Sequence, residues 1–469
     1  MDDELRYWTA VDTATAIRRR EVSATEVVAA AIARAEQAEP VLHAFVVTIP
    51  EAALARAREL DDALVAGRDG LGPLAGVPTA VKDLSDQAGV PTRQGSRAIT
   101  GVVPAVSGVE VVELLSSGLV SLGKSATPEF GFVATTEPLF AEPTSNPWNP
   151  GYSAGGSSGG AAALVAGGVV PIAHATDGGG SIRIPAAVTG LVGLKPTVDR
   201  HVRMARMARL PIKISVSNVV TRTVADTAAF MAAVERHRRA THLPPMGVVQ
   251  GPADRRLRIG VVMDGPNAPT APAIRAATRA TADHLAELGH HVEEVKAPAS
   301  ASFGDDFVLY WASLALLTLT LLPRSLGEHF DRDLVDPFTA TLADHARANR
   351  VRIPFAIRRL KAAIGTYRDG FRDVDLVLSP TLAQHTPVLG ATSPQRTFAE
   401  LEPWLMDYAQ FTPLHNAVGA PAISLPAGQH DGLPVGVQLA ALPGDDRTLL
   451  EVAYALEAVA PWRQVAPTP

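Results

Sequence analysis

The sequence contains no cysteine. Disulfides, thiolate zinc sites and cysteine nucleophiles are therefore excluded. Aromatic residues are sparse at 5%, and charged residues (19%) are far outnumbered by hydrophobic ones (47%), so the chain is globular and not disordered. No basic tract stands out, and the net charge of −6 comes from interspersed acids and bases. Nothing in this pattern argues for a nucleic-acid partner. The N-terminus, MDDELRYWTA, is acidic and polar and is no signal peptide. The longest mostly apolar or small stretch is read at Ala161–Ala175. It is broken by Gly167, Gly168, Pro171 and His174 and is too short to span a bilayer. Cytoplasmic residence and no membrane partner are the expectation. Tandem repeats and low-complexity linkers are also missing. The 469 residues, enough for about three domains, are therefore expected to form one intertwined domain, residues 1–469.

Residues 1–64 read as a helical region, with Ser23 and Glu26 placed as a capping box. Further on, VPTAVKD and GLVSLGK read as buried strands around a helix at VEVVELLSS, and Ala161–Val165 as a helix packed through small residues. The residues NPGYSA before GGSSGG read as a loop. A fresh α/β pattern starts at Arg258: RIGVV as strand, an alanine-rich helix, then HVEEV as strand. Residues 303–367 read as a helical cap-like segment, and DLVLSPT and PAISLPAG as late core strands.

Chemistry concentrates in three places. Lys82 lies in GVPTAVKDL, Ser157 in GGSSGG and Ser181 in DGGGSIRIP. A hydroxyl needs a base before it becomes a nucleophile. None of the 13 histidines lies in these glycine-rich motifs. A lysine can serve if burial or a nearby positive charge lowers its pKa from about 10.4, and the apolar context of Lys82 favours burial. Gly178, Gly179 and Gly180, just before Ser181, can turn N–H groups toward a developing oxyanion.

Three other patterns compete. Gly118–Ser125 satisfies the phosphate-loop pattern, but a helix precedes it, LVSLG reads as strand and Pro128 follows soon after. GGSSG and GSSGG satisfy the nucleophile-elbow pattern around Ser157 and Ser158, which glycine-rich sequence matches cheaply. His290, His291, His329 and His345 show no metal-ligand spacing. No metal and no cofactor are expected.

At these residues the chain resembles the amidase signature family. GVPTAVKD, GGSSGG and DGGGSIRIP stand in the family's order, and the likeness continues through GKSATPEFG, TSNPWNP, GLVGLKPT, TRTVADTA, LSPT, FTPLHNAVGAPAISLPAG and LPVGVQL. It covers about Leu71 to Trp462. The resemblance implies an α/β fold: a single large α/β/α domain with a mixed, twisted central sheet, here with a helical cap-like insertion. It implies that Ser181 forms the acyl-enzyme, that Ser157 relays a proton after a cis Gly156–Ser157 bond, and that Lys82 is the ultimate base. Backbone N–H groups of Gly178, Gly179, Gly180 and Ser181 would form the oxyanion hole, and Asp177 and Arg183 would brace the loop.

The chain also departs from the family. Gly178 stands where a larger residue is common, which points to a looser loop. Residues 198–215, VDRHVRMARMARLPIKIS, replace a Gly-Arg-x-Pro stretch and are read as a mobile loop over the pocket. The activity implied is hydrolysis of C–N bonds in linear amides, and of ester, carbamate or urethane bonds. The expected substrates are small, partly apolar aryl or alkyl compounds. The alternatives are an A-type subunit of a glutamine-dependent tRNA amidotransferase, an acyl-transferring amidase, and a non-catalytic binding protein. The last would be expected to lose one of the three residues. Gly131, Phe132 and Trp311 are expected at the substrate, with Phe130 and Leu316 as further apolar wall residues, and the apolar Tyr310–Leu322 as pocket lining. The partner is a small molecule, and the protein is expected to be a monomer or homodimer.

Overall fold

The computed structural model describes residues 2–202 and 210–467. A short helix, Asp2–Leu5, is followed by helices Ala10–Arg18, Ala24–Leu42 and Pro50–Val65. At Ser23 the capping box is complete: its hydroxyl accepts from the Glu26 amide at 3.1 Å, and Glu26 Oε2 accepts from the Ser23 amide at 2.8 Å. The helical reading of this region missed one strand, β1 (Phe45–Thr48). Its FVVT sequence is too short to show periodicity, and its identity comes from an antiparallel partner far along the chain.

That partner is β3 (Val120–Ser125), which also pairs in parallel with β2 (Pro78–Lys82). The GLVSLGKS pattern is therefore strand and not phosphate loop, and its Lys124 is buried against Asp83 at 3.2 Å. The NPGYSA segment, read as loop, is mostly strand: β4 (Ser145–Asn146) and β5 (Asn149–Ser153) form a two-stranded ribbon. Neither joins the main sheet, so the serines after it are not on a nucleophile elbow.

The main sheet comprises β6 (Ile172–Asp177), β7 (Val192–Lys195), β8 (Val216–Thr221), β9 (Arg258–Val261), β10 (His291–Glu294), β11 (Leu376–Pro380), β12 (Ala422–His430) and β13 (Leu433–Ala440). Its order is β10-β9-β11-β13-β12-β7-β8-β6. The β10-β9-β11 end is parallel and the rest antiparallel, giving the mixed sheet. Alternation along β11 shows how the layers form. Leu376 and Leu378 face helices Val224–His237, Pro272–Glu287 and Asp446–Val459, whereas Val377 faces Phe303, Phe307, Leu360 and Tyr367 on the opposite side.

Residues 303–367 are mostly helical, as read: Phe303–Leu326, Pro337–Ala348 and Ile353–Gly370. The first of these holds a longer apolar run than Ala161–Ala175 and corrects that reading. Phe303–His329 is long and apolar enough by composition to cross a membrane, and 44% of its apolar window is buried in the protein. The small and large sheets meet where β2 lies beside edge strand β6. That junction positions the site.

Candidate active site

Lys82 ends β2 and is fully buried. Its backbone N–H donates to His174 Nδ1 on β6 at 3.2 Å. A ring nitrogen that accepts from an amide carries no proton. The proton therefore rests on Nε2, which donates to Ser217 Oγ at 2.9 Å. His174 thus ties the two sheets together and stands behind the lysine backbone. Two residues on, and so on the same face of β6, Thr176 reaches the lysine side chain. Lys82 Nζ donates to Ser157 Oγ at 2.8 Å, to Ser158 Oγ at 2.8 Å and to Thr176 Oγ1 at 3.1 Å. Ser157 and Ser158 lead into the helix Gly159–Ala166, and the Gly156–Ser157 peptide is cis.

Ser181 follows β6 and enters the helix Arg183–Thr189. Its hydroxyl is half-buried and lines the same pocket as Ser157, with no hydrogen-bond partner among the described residues. The Lys82–Ser157 link is closed in this structure. Ser157 and Ser181 line one pocket without a hydrogen bond between them.

The glycine loop corrects one expectation. Among the described residues the N–H groups of Gly178, Gly179 and Ser181 meet no protein acceptor. The Gly180 N–H is instead taken by Asp177 Oδ1 at 2.7 Å, so it does not point into the pocket. Gly180 serves another purpose: its φ is +137°, and a β-carbon there would lie 2.4 Å from Thr412 Oγ1. Thr412 Oγ1 donates to the Gly179 carbonyl at 2.6 Å, which turns that peptide away from solvent. At Gly178 an added β-carbon would meet only Ser215, 3.9 Å away, so there is room for a larger residue.

Asp177 and Arg183 brace the loop from below. Asp177 accepts from the amides of Gly180 and Ile182 and from Arg183 Nε at 2.9 Å. Burial opposes the charge on Asp177, but Arg183, Lys195 and Asn416 outweigh it and hold the carboxyl below the usual carboxylate range. The same crowd acts on Lys195. Burial first, then the Arg183 guanidinium, push its amine down to about 7. His415, 3.2 Å from Arg183 Nη1, is held well below its ordinary value by burial and the same cation.

The pocket has a volume of about 410 Å³. Gly131, Phe132, Trp311 and Phe130 line it as expected; Leu316 does not, because it packs on the other side of its helix beside the Phe338–Leu342 cluster. Within Tyr310–Leu322 the lining residues are Trp311, Leu314, Leu317, Thr318, Leu321 and Leu322. No charged side chain lines the pocket among the described residues. Of the divergent 198–215 segment, residues 203–209 lie outside the described residues. Its flanks are tied: the Val202 amide donates to Glu113, and Tyr310 Oη donates to the Ile212 carbonyl at 2.6 Å. Leu210, Ile214 and Ser215 line the pocket.

Sequence reasoning missed Ser158, Thr176, His174, Thr412 and Asn416. Only Thr176 and His174 carried a usable signal, their spacing of two on a strand that ends at the glycine loop. Of the histidines weighed for a metal, His290 and His291 stand together at the start of β10, His329 ends the turn Gly327–His329 and His345 lies on the helix Pro337–Ala348; among the described residues they form no metal-holding group.

Comparison with known proteins agrees with this geometry. The Amidase family model matches residues 26–450. AmiC of Mycobacterium tuberculosis, provisionally named an amidase, is 45% identical over 99% of this chain and 97% of its own length. The A subunit of glutamyl-tRNA(Gln) amidotransferase from Chloroflexus aggregans is 34% identical over 99% of both chains. Among solved structures, a bacterial aryl acylamidase superposes with a TM-score of 0.84 at 31% identity, over 97% of each chain. A 6-aminohexanoate cyclic dimer hydrolase superposes at 0.87 with 29% identity, over 98% of this chain and 99% of the other. A buried lysine joined to the first serine of GGSSGG, a second serine behind a glycine loop, and these matches across nearly the whole length make the chain an amide-hydrolysing member of the amidase signature family.

Proposed function

We propose that the protein hydrolyses small, uncharged, partly apolar aryl or alkyl amides through an acyl-enzyme on Ser181. In the reactive form Lys82 has given up a proton, so its Nζ accepts from the Ser157 hydroxyl instead of donating to it; Nζ takes the Ser157 proton while Ser157 takes that of Ser181, whose oxygen attacks the carbonyl carbon. The oxyanion faces the N–H groups of Gly178, Gly179 and Ser181. The proton then returns through Ser157 to the leaving nitrogen as the C–N bond breaks. Water repeats the sequence to release the acid. The same acyl-enzyme chemistry extends to esters and carbamates, and to transfer onto a second amine. The observation that carries this reading is the buried 2.8 Å contact between Lys82 Nζ and Ser157 Oγ in the pocket that also holds Ser181.

The apolar lining supports a neutral substrate. Glutamine brings an ammonium and a carboxylate, and no described side chain of the pocket pairs with either. The test is a screen of purified protein with p-nitroanilides, fatty amides, aryl carbamates and glutamine. Turnover of neutral anilides or alkyl amides is expected. Turnover of glutamine alone, and only with an added partner, would favour an amidotransferase subunit and overturn the proposal.

A further inference from the structure

Gln94 is placed with unusual care for a residue whose side chain makes no hydrogen bond among the described residues. Its φ is +54°, in the left-handed region, where a non-glycine residue costs roughly 1–2 kcal/mol. Such conformations persist only when the surroundings over-determine them, and they gather at ligand sites. Here they are over-determined. The amides of Arg93 and Gly95 on either side both donate to the buried Asp83 carboxylate, at 3.3 and 3.2 Å. The Gln94 carbonyl accepts from the Phe130 amide at 2.8 Å. Phe130 itself has φ +51°, so two strained residues are locked back to back.

The outcome of this arrangement is that the half-buried Gln94 lines the pocket. Its carboxamide has no hydrogen-bond partner among the described residues. The other amides there are engaged: Asn267 donates to the Met406 carbonyl, and Gln410 both donates to the Ala268 carbonyl and accepts from the Asn267 amide. Ser157 and Thr176 are bonded to Lys82. Ser215 stands against Gly178 of the glycine loop, and Thr318 on the leucine-rich helix.

Gln94 is also on a definite side of the scissile bond. Phe130 precedes Gly131, and a β-carbon at Gly131 would lie 3.1 Å from Ser157 Oγ. In the reading above, Ser157 hands its proton to the leaving nitrogen. The wall formed by Leu84, Gln94, Phe130 and Gly131 therefore borders the amine portion of the substrate. The acyl side lies toward Phe307, whose ring is 3.5 Å from a β-carbon built on Gly179 of the oxyanion loop.

Resting on that reading, we propose that Gln94 is a specificity-determining residue that recognises a second neutral amide on the amine portion of the substrate. A carboxamide donates from Nε2 and accepts at Oε1, so its best neutral complement is a group that does both. In an otherwise apolar pocket an unmet carboxamide penalises substrates that cannot pair with it.

The test uses hexanoyl anilides carrying either an acetamido group or its apolar isostere, isobutyl, at the ortho, meta or para position. Gln94→Gly removes the carboxamide and accepts φ +54° without strain, so folding is retained, and a thermal melt no lower than wild type checks it. For at least one isomer, the acetamido-over-isobutyl ratio of kcat/KM is expected to fall by about 10- to 100-fold in Gln94→Gly, the usual consequence of losing a buried hydrogen-bonding partner. Gln94→Asn, which tolerates the left-handed region, is expected to fall between. A ratio that stays constant in all three isomers, or parallel losses on both substrates, would overturn the proposal and leave Gln94 a structural residue. Binding of the same pairs to Ser181→Ala protein, with and without Gln94→Gly, is read by calorimetry. An acetamido preference there that Gln94→Gly abolishes supports Gln94 even if turnover fails, and so separates this inference from the catalytic reading. Equal binding of both members of each pair overturns it.

Discussion

At the residue scale the structure assigns unequal surroundings to two serines that look alike in sequence. Ser157 is buried against Lys82, and Ser181 is half-exposed behind three N–H groups that meet no protein acceptor among the described residues. Ser181→Ala is therefore expected to lower turnover by at least about 10³-fold while the circular dichroism spectrum stays native. Lys82→Ala is expected to lose about 10²- to 10⁴-fold, the usual worth of a positioned base, with part of it recovered at high pH where hydroxide takes over. Unchanged neutral-pH activity in Lys82→Ala would remove the lysine from the mechanism. Lys82, Ser157 and Ser181 were legible because each sits in its own short signature. Ser158, Thr412 and Asn416 were not, because their roles come from partners up to 239 residues away.

Lys195 gives a second prediction at this scale. Its amine titrates near 7 in the folded protein, against 10.5 ordinarily, because burial and Arg183 disfavour the charge. Between those values the unfolded chain holds a proton that the folded protein has released, so stability rises with pH across roughly 7 to 10.5. Below 7 both states are protonated and this contribution is flat. Urea midpoints measured from pH 6 to 10 are expected to climb more steeply in wild type than in Lys195→Met. Equal slopes would show that Lys195 does not titrate in that window.

At the scale of elements, pocket shape is set chiefly by the helix Phe303–Leu326. Trp311 stands on it with its ring centroid 6.4 Å from Phe132, 5.9 Å from Phe338 and 6.1 Å from Phe398. It lines the pocket with apolar surface, which in the proposed reaction would meet substrate in the ground state and the transition state alike. Interactions of that kind act on KM more than on kcat. Trp311→Ala is expected to raise KM for apolar anilides by about tenfold, the scale of one to two methylene contacts, with kcat within about twofold. A loss confined to kcat would show that the ring positions the catalytic loop instead. This helix was legible as an apolar cap-like segment. The strands β1, β4 and β5 were not, because two- to five-residue strands have no period of their own and exist only through their partners.

At the scale of the whole molecule, one side chain joins parts of the chain that no sequence window contains together. Asn416 lies in the short helix Pro413–Ala417, just before β12. Its Nδ2 donates to the Asp177 carbonyl at 3.0 Å, to Asp177 Oδ1 at 2.9 Å and to the Ile214 carbonyl at 2.9 Å. Its Oδ1 accepts from Arg183 Nη2 at 2.6 Å. The glycine loop before Ser181, the flank of the divergent segment and the C-terminal half of the main sheet thus share one fully buried amide. Asn416→Ala leaves two carbonyls, a carboxylate oxygen and a guanidinium N–H each short of a partner in a fully buried place. The expected loss of stability is about 2–3 kcal/mol in urea denaturation, the cost of unmet buried polar groups. Because Asp177 also holds the Gly180 and Ile182 amides, the glycine loop loosens with it, and kcat is expected to fall at a temperature where the variant is still folded. A stability loss with kcat intact would mean that Asp177 and Arg183 hold the loop without help from the C-terminal half of the chain.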